Sequence, residues 1–178
     1  MAFSKGNTAP DFSATLTSGE EINLADMIKE QSVCLIFLRF LGCPLTRLRI
    51  AELETEIEKY QSNDLRLIVV FESTVDRTQK YMTRKGVSLD ILVDEQRNLY
   101  DLFDVQPGGV LKMLNPNVLK KASEATIKGH MHGAFEGKEL QLPAAFIIDK
   151  DKTFSYVNYG EHPADTVSTD SILLDVSA

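Results

Sequence analysis

One short run in the 178 residues has the types and spacing for thiol chemistry: Gly42-Cys43-Pro44-Leu45-Thr46-Arg47. Proline is well tolerated at the first position of a helix, because the N–H it lacks has no intrahelical partner there. Pro44 therefore predicts a helix start, with Cys43 just outside it. A thiol so placed faces unpaired N–H groups and the positive end of the helix dipole. Both favour the thiolate, which is the reactive form. Arg47, one turn along, and Arg39, from the residues before the turn, can add positive charge. Thr46 stands three residues after Cys43, a helical neighbour whose hydroxyl can donate to a thiolate. The chemistry expected is attack of a Cys43 thiolate on a peroxide O–O bond or on a disulfide sulfur.

The only other cysteine is Cys34. It lies at the start of an apolar run, Val33 to Leu41, that reads as one buried strand. Residues 34 to 40, if extended, span about 20 Å, whereas a disulfide needs Cα atoms within about 7 Å. A Cys34–Cys43 bridge is therefore not expected, and Cys34 reads as a small buried hydrophobe.

Other polar residues carry less. His130 and His132 lie two apart in a glycine-flanked loop, with no cysteine or third histidine nearby to complete a metal site. His162 is another loop residue, and Arg84, Lys85 and Arg97 are expected on the solvated surface. Glu52 to Glu58 reads as a helix face rather than an acid/base pair. No Gly-rich phosphate loop, zinc-spaced cysteine set or Ser/His/Asp arrangement stands out, and neither a metal nor a cofactor is expected.

The elements that must position Cys43 follow from periodicity. Phe12 to Thr17, Ser18-Gly19 and Glu20 to Asn23 predict a hairpin with a Ser-Gly turn. A brief helix spans Leu24 to Lys29 with Asn23 as its cap, and the central strand spans Ser32 to Phe40. Leu45, Leu48, Ile50, Leu53, Ile57 and Tyr60 recur mostly at spacings of three and four, which carries the helix after Cys43 to about Tyr60. Strands follow at Leu65 to Phe71 and Leu89 to Val93, with helices at Val75 to Arg84 and Gln96 to Phe103. Residues 110–141 are the least regular, with a helix at Asn117 to Ile127 and a loop from Gly129 to Gly137. A final hairpin, Ala144 to Asp149 and Thr153 to Tyr159, precedes a helix at Ser168 to Val176. Residues 1–11 read as an arm. Strands alternating with helices, followed by a tight hairpin, predict a mixed sheet with helices on both faces.

Composition bounds the function. Hydrophobic residues make up 43% and charged residues 25%, ordinary for a globular domain. The net charge of −7 argues against a nucleic-acid partner. The N-terminus lacks the apolar core of a signal peptide and no run is long enough to span a bilayer, so the chain is expected in the cytoplasm without a membrane partner.

Four features together resemble the alkyl hydroperoxide reductase/thiol-specific antioxidant family, the peroxiredoxins and their relatives. They are APDF at residues 9–12, FLRFLGCPLTRLRIAEL, ELQLPAAFIID, and the late hairpin with its short helix. The FLRFLGCPLTR segment is similar to a peroxiredoxin-like subfamily whose site reads roughly FLRxxGCPxCR. The resemblance implies a single thioredoxin-like domain over residues 1–178, with an N-terminal hairpin extension and an insert at 107–141. It implies a thiol-based antioxidant oxidoreductase acting on peroxides or disulfides. It places Pro143 where such folds carry a cis-proline beside the reactive cysteine, leaving the backbone of residue 142 to pair with an extended substrate.

Two departures matter. The subfamily's second cysteine is Thr46 here, and Phe40 stands where peroxiredoxins carry Thr or Ser three residues before the cysteine. A site without a second thiol must be restored by an outside one, such as glutathione or a thioredoxin-type protein. The alternatives are a silent binding module and a sensor that is oxidised without turnover. A homodimer is compatible with all three.

Overall fold

The computed structural model describes residues 2–133 and 137–176. Its centre is β3 (Ser32–Phe40), flanked by β4 (Leu65–Glu72) and β5 (Asp90–Val93) on one side and by β6 (Ala144–Ile148) and β7 (Phe154–Tyr159) on the other. The order is β5-β4-β3-β6-β7. The β3–β4 and β4–β5 pairs are parallel, and β6 and β7 run antiparallel to their neighbours. The sheet is mixed, as the element order predicts. A separate two-stranded ribbon, β1 (Ser13–Thr15) with β2 (Glu21–Asn23), forms the expected hairpin.

β3 is apolar at almost every position because both its faces are covered. Val33, Leu35 and Phe37 meet Phe146, Phe103 and residues of α1 (Leu24–Glu30) on one face. Cys34, Ile36 and Leu38 meet Ile50, Leu53 and Tyr60 of α2 (Pro44–Ser62) on the other, together with Ile172 of α6 (Thr169–Val176). The period-two alternation thus divides one strand between two cores. The β3–β4 register shifts between Phe37 and Phe40, so the irregularity falls on Leu38 and Arg39, directly before the Cys43 turn.

Several boundaries differ from expectation for physical reasons. Of the expected arm over residues 1–11, the described residues 2–11 are not free. Gly6 N donates to Phe154 O at 2.8 Å, Ala9 N donates to Lys152 O at 2.9 Å, and Phe3 packs on Phe103 and Phe154. This segment covers part of the last hairpin, where an open edge would otherwise invite pairing with another chain. After α3 (Val75–Lys85), α4 is limited to Asn98–Leu102. The reason is Arg97, which takes a left-handed φ of 63° that ends helical geometry. The Asp94 carboxylate then caps the helix, accepting from Leu99 N at 2.8 Å and Tyr100 N at 3.0 Å. The last helix starts at Thr169 rather than Ser168, and Ser168 caps its N-terminus, its Oγ accepting from Ser171 N at 3.2 Å.

Segment 107–141 holds a 3-10 turn at Val110–Leu114 and α5 (Pro116–Ile127), close to the helix read from sequence. Residues 134–136 of the expected 129–137 loop lie outside the described residues. Among the described residues no helix is long and apolar enough to cross a membrane.

Candidate active site

Cys43 is the N-cap of α2, with Pro44 in the first helical turn. The chain makes a tight turn to reach it, Cys43 N donating to Phe40 O at 3.0 Å. The thiol is not alone at the helix end. Arg39 Nη1 donates to Cys43 Sγ at 3.0 Å. The other amino group of Arg39, Nη2, donates to the Glu139 carbonyl, which clamps the guanidinium from the far side. A guanidinium is always charged and presents its donors in a fixed fork, so a cation and a hydrogen-bond donor stand directly beside the sulfur.

The thiol is also covered. Cys43 is 1% exposed and packs with Phe40, Leu45, Val118 and Ala164, with Ala122 alongside. Val118 and Ala122 belong to α5, so the irregular segment forms the roof over the cysteine. Its far end is fastened beside the site. Gly133 N donates to Gly42 O at 2.8 Å, and the His132 ring meets Phe40 edge-on at 6.1 Å. A Cβ on residue 133 would stand 2.6 Å from Arg47 Nη2 and 3.2 Å from Gly42 Cα, so a larger residue there would displace the end of Arg47 and crowd the turn before Cys43.

The sequence-derived site residues meet different fates. Arg47 turns away from Cys43. Its Nε donates to Leu41 O at 2.8 Å and its Nη1 to Met131 O at 3.0 Å, with the guanidinium over Tyr81. It is a fastener between turn and roof, and Arg39 takes the place beside the sulfur. Thr46 is buried, and its Oγ1 has no hydrogen-bond partner, so the expected donation to Cys43 is not made.

Pro143 does come to this corner. It lines a small cavity with Leu38, Arg39, Leu45, Thr46, Pro163 and Thr166, too narrow to hold a water molecule. Arg39 Nε, like Thr46 Oγ1, is buried there without a partner. The peptide bond before Pro143 is trans, contrary to the cis geometry that the resemblance implies. Nor is the 142 backbone left open. Leu142 O accepts from Gln141 Nε2 at 2.9 Å, Gly108 N donates to Leu140 O at 2.8 Å, and Pro107 bridges Gln141. The start of the roof segment already pairs with the edge that a peptide would use.

Sequence reasoning missed a second buried charge group. Arg97, expected at the surface, pairs with Glu72 and donates from Nη2 to Gln141 Oε1 at 2.9 Å. Its guanidinium lies over the Tyr100 ring at 4.7 Å. Glu72 Oε2 accepts from Lys138 N at 3.1 Å, and Gln141 Nε2 donates to Val105 O at 3.1 Å. These bonds hold residues 138–142, which carry the Glu139 carbonyl that clamps Arg39. Burial first, then the negative charges of Glu72 and Asp94, pushes the Tyr100 phenol well above its usual range. It therefore stays a donor, to Leu38 O at 2.6 Å. A signal for this group existed only in three dimensions, because Glu72, Arg97 and Gln141 are far apart in sequence.

Burial, then the neighbouring cations Lys85 and Arg47, lowers the His130 imidazole below its ordinary range. Among the described residues no group of three or more His, Cys, Asp or Glu side chains is placed to hold a metal ion.

Comparison with known proteins gives consistent results. The sequence profile of the AhpC/TSA family matches residues 5–157. A prostamide/prostaglandin F synthase of Aquarana catesbeiana is 22% identical over 160 residues, covering 88% of this chain and 79% of the relative. The thiol-disulfide oxidoreductase ResA of Bacillus subtilis is 27% identical over 119 residues, covering 65% of this chain and 64% of the relative. Among solved structures, the peroxidoxin BcpB of Mycobacterium tuberculosis superposes with a TM-score of 0.68 at 16% identity, covering 97% of this chain and 96% of that one. This last likeness is one of fold.

Proposed function

The chain belongs to the AhpC/TSA family, a family of thiol-based redox enzymes, and on that premise we propose that it is a single-cysteine peroxide reductase acting through Cys43. The observation that carries this reading is the 3.0 Å contact from Arg39 Nη1 to Cys43 Sγ at the start of α2. A cation and a helix N-terminus both lie beside the sulfur there, where an attacking sulfur would need them. The roof of α5 and residues 130–133 favours a small oxidant over a protein disulfide, which could not reach a sulfur that is 1% exposed.

In the proposed cycle the Cys43 thiolate attacks one oxygen of a hydroperoxide and the O–O bond breaks. The sulfur keeps that oxygen as a sulfenic acid, and the alkoxide or hydroxide that leaves takes a proton to become alcohol or water. Arg39 and Thr46 supply the nearby polar atoms, Nε and Oγ1, that have no partner in the resting protein. A first external thiol condenses with the sulfenic acid, giving a mixed disulfide and water. A second attacks that disulfide, returning Cys43 as a thiol and leaving as an external disulfide. The outside reductant is needed because Thr46 replaces the nearby cysteine and Cys34 lies buried along β3. We place this chemistry in the cytoplasm, in one thioredoxin-like domain in which residues 107–141 are an insert roofing the thiol.

The test is peroxide consumption by the wild type and by Cys43→Ser, with dithiothreitol and then glutathione as reductant. Wild-type turnover and a silent variant are expected; equal rates would exclude the reading. A single stoichiometric oxidation with no turnover, with either reductant, would make the protein a sensor instead.

A further inference from the structure

The roof segment carries most of the large hydrophobic side chains that the described residues expose. Nine large hydrophobic side chains are exposed among the described residues. Six of them fall within residues 110–131: Val110, Leu111, Leu114, Leu119, Ile127 and Met131. Leu111 is 82% exposed and Ile127 is 87% exposed. Single exposed hydrophobes are ordinary, but a concentration in one short stretch marks a contact surface. α5 shows this most clearly. Val118 and Ala125 are buried beneath it, while Leu119 and Ile127, eight residues apart on one face, point outward. A helix apolar on both sides is a helix with two covers, and the described residues supply only the inner one.

Charge identifies the outer cover. The whole chain carries −7, yet residues 107–133 hold four lysines against one glutamate. Lys112 and Lys120 are exposed beside the apolar side chains. Lys128 pairs with Glu124 at 2.7 Å, and Lys121 reaches Thr166 Oγ1 at 3.4 Å. A two-fold contact between copies through this face would set two patches of the same net positive charge against each other. An anionic bilayer satisfies both features at once. Leucine and isoleucine enter the boundary between headgroups and acyl chains, while lysine stems lie along it with their charges at the lipid phosphates. The acidic remainder of the chain is screened beyond a Debye length of about 8 Å at physiological salt.

We propose that the outer face of residues 110–131 is a docking surface for an anionic membrane, as on the cytoplasmic leaflet. The sequence gives no hint of a membrane partner, because the apolar residues of this stretch are scattered and only the fold turns them outward together. The inner face of the same helix roofs Cys43, so docking sets the thiol at the bilayer surface.

The test is co-sedimentation with phosphatidylcholine vesicles, with and without phosphatidylserine, at low and high salt. We expect binding to anionic vesicles about ten-fold above neutral ones, weakened by salt. A Leu111→Glu/Leu119→Glu/Ile127→Glu variant changes only exposed positions and should lose that binding while its circular dichroism is unchanged. Lys112→Gln/Lys120→Gln, a second variant that does not alter the apolar face, should bind more weakly than wild type. Leu102→Glu, at an exposed hydrophobe outside the stretch, should bind as wild type does. Absence of wild-type binding to anionic vesicles overturns the proposal, as does binding that survives the triple substitution. Dimerisation abolished by the triple substitution, without vesicle binding, would give the face to a second copy. Because none of these measurements uses Cys43, they stand or fall independently of the peroxide reading.

Discussion

Cys34 and Cys43 are nine residues apart, both free and both buried, at 0% and 1% exposure. Their surroundings are otherwise opposite. Cys34 sits between Leu67 of β4 and Ile147 of β6, with the apolar face of α2 above it. Burial pushes its thiol up to about 12, and the more distant charge of Arg49 offsets this only slightly. Cys43 ends its strand, caps a helix and accepts a hydrogen bond from a guanidinium. On the reading proposed above, accessible area does not separate the two cysteines. What separates them is the positive charge that the protein supplies beside Cys43, where the water was removed.

Arg39 is the sharpest place to break the contrast. Arg39→Met should slow alkylation of Cys43 at neutral pH by about 100-fold, the scale for loss of one preorganised donor to a developing or standing anion. Arg39→Lys keeps the charge but loses the fork that spans Cys43 Sγ and the Glu139 carbonyl, and should fall between. Reaction rates with iodoacetamide, followed by mass spectrometry, report both. An unchanged rate in Arg39→Met would mean that the two cysteines differ for some other reason.

The second break is at Cys34 and reads out in stability. In the unfolded chain this thiol releases its proton near pH 8.5, whereas in the folded chain it holds it up to about 12. Between those values the native state binds more protons than the unfolded one, so stability falls as pH rises. The contribution is about 2 kcal/mol between pH 8 and pH 10. Cys34→Ala should therefore show a flatter alkaline limb in urea titrations at the two pH values, whatever constant cost its cavity adds. Tyr60, raised by burial and then by the neighbouring Cys34, and Tyr100, raised by burial, add to the loss at higher pH.

The smallest effect separates the two cysteines' neighbours. Thr46 Oγ1 is buried and unpartnered, so Thr46→Val should leave stability unchanged or raise it by about 1 kcal/mol. If the hydroxyl assists the peroxide oxygen, the variant should lose peroxide rate while its alkylation rate stays constant. Equal change in both rates would reduce Thr46 to packing.

How much of this was legible in sequence follows from the range of each interaction. The Cys43-Pro44 junction is local, and proline at a helix start together with an apolar run was enough to place strand, turn and helix. The unbroken apolar run from Val33 to Leu38 was enough to predict a central strand buried on both faces. The choice between Arg39 and Arg47 was not legible. Helical spacing brings Arg47 near Cys43 in angle, but the carbonyls of Leu41 and Met131 take its donors, and Met131 is far along the chain. The Glu72–Arg97–Gln141 group was invisible for the same reason. Arg97 looks like a surface residue until the fold brings a carboxylate and an amide to it. The trans bond before Pro143 and the pairing of its neighbours with 107–108 depend on the roof segment, the least regular part of the sequence.

The central claim is that the fold makes Cys43 the oxidisable cysteine and leaves Cys34 inert. It is tested most directly by treating the folded protein with stoichiometric hydrogen peroxide, trapping sulfenic acid with dimedone, and locating the adduct by mass spectrometry. The account predicts an adduct on Cys43 alone, with Cys34 modified only after denaturation. An adduct on neither cysteine, or on both to the same extent in the folded protein, would contradict it.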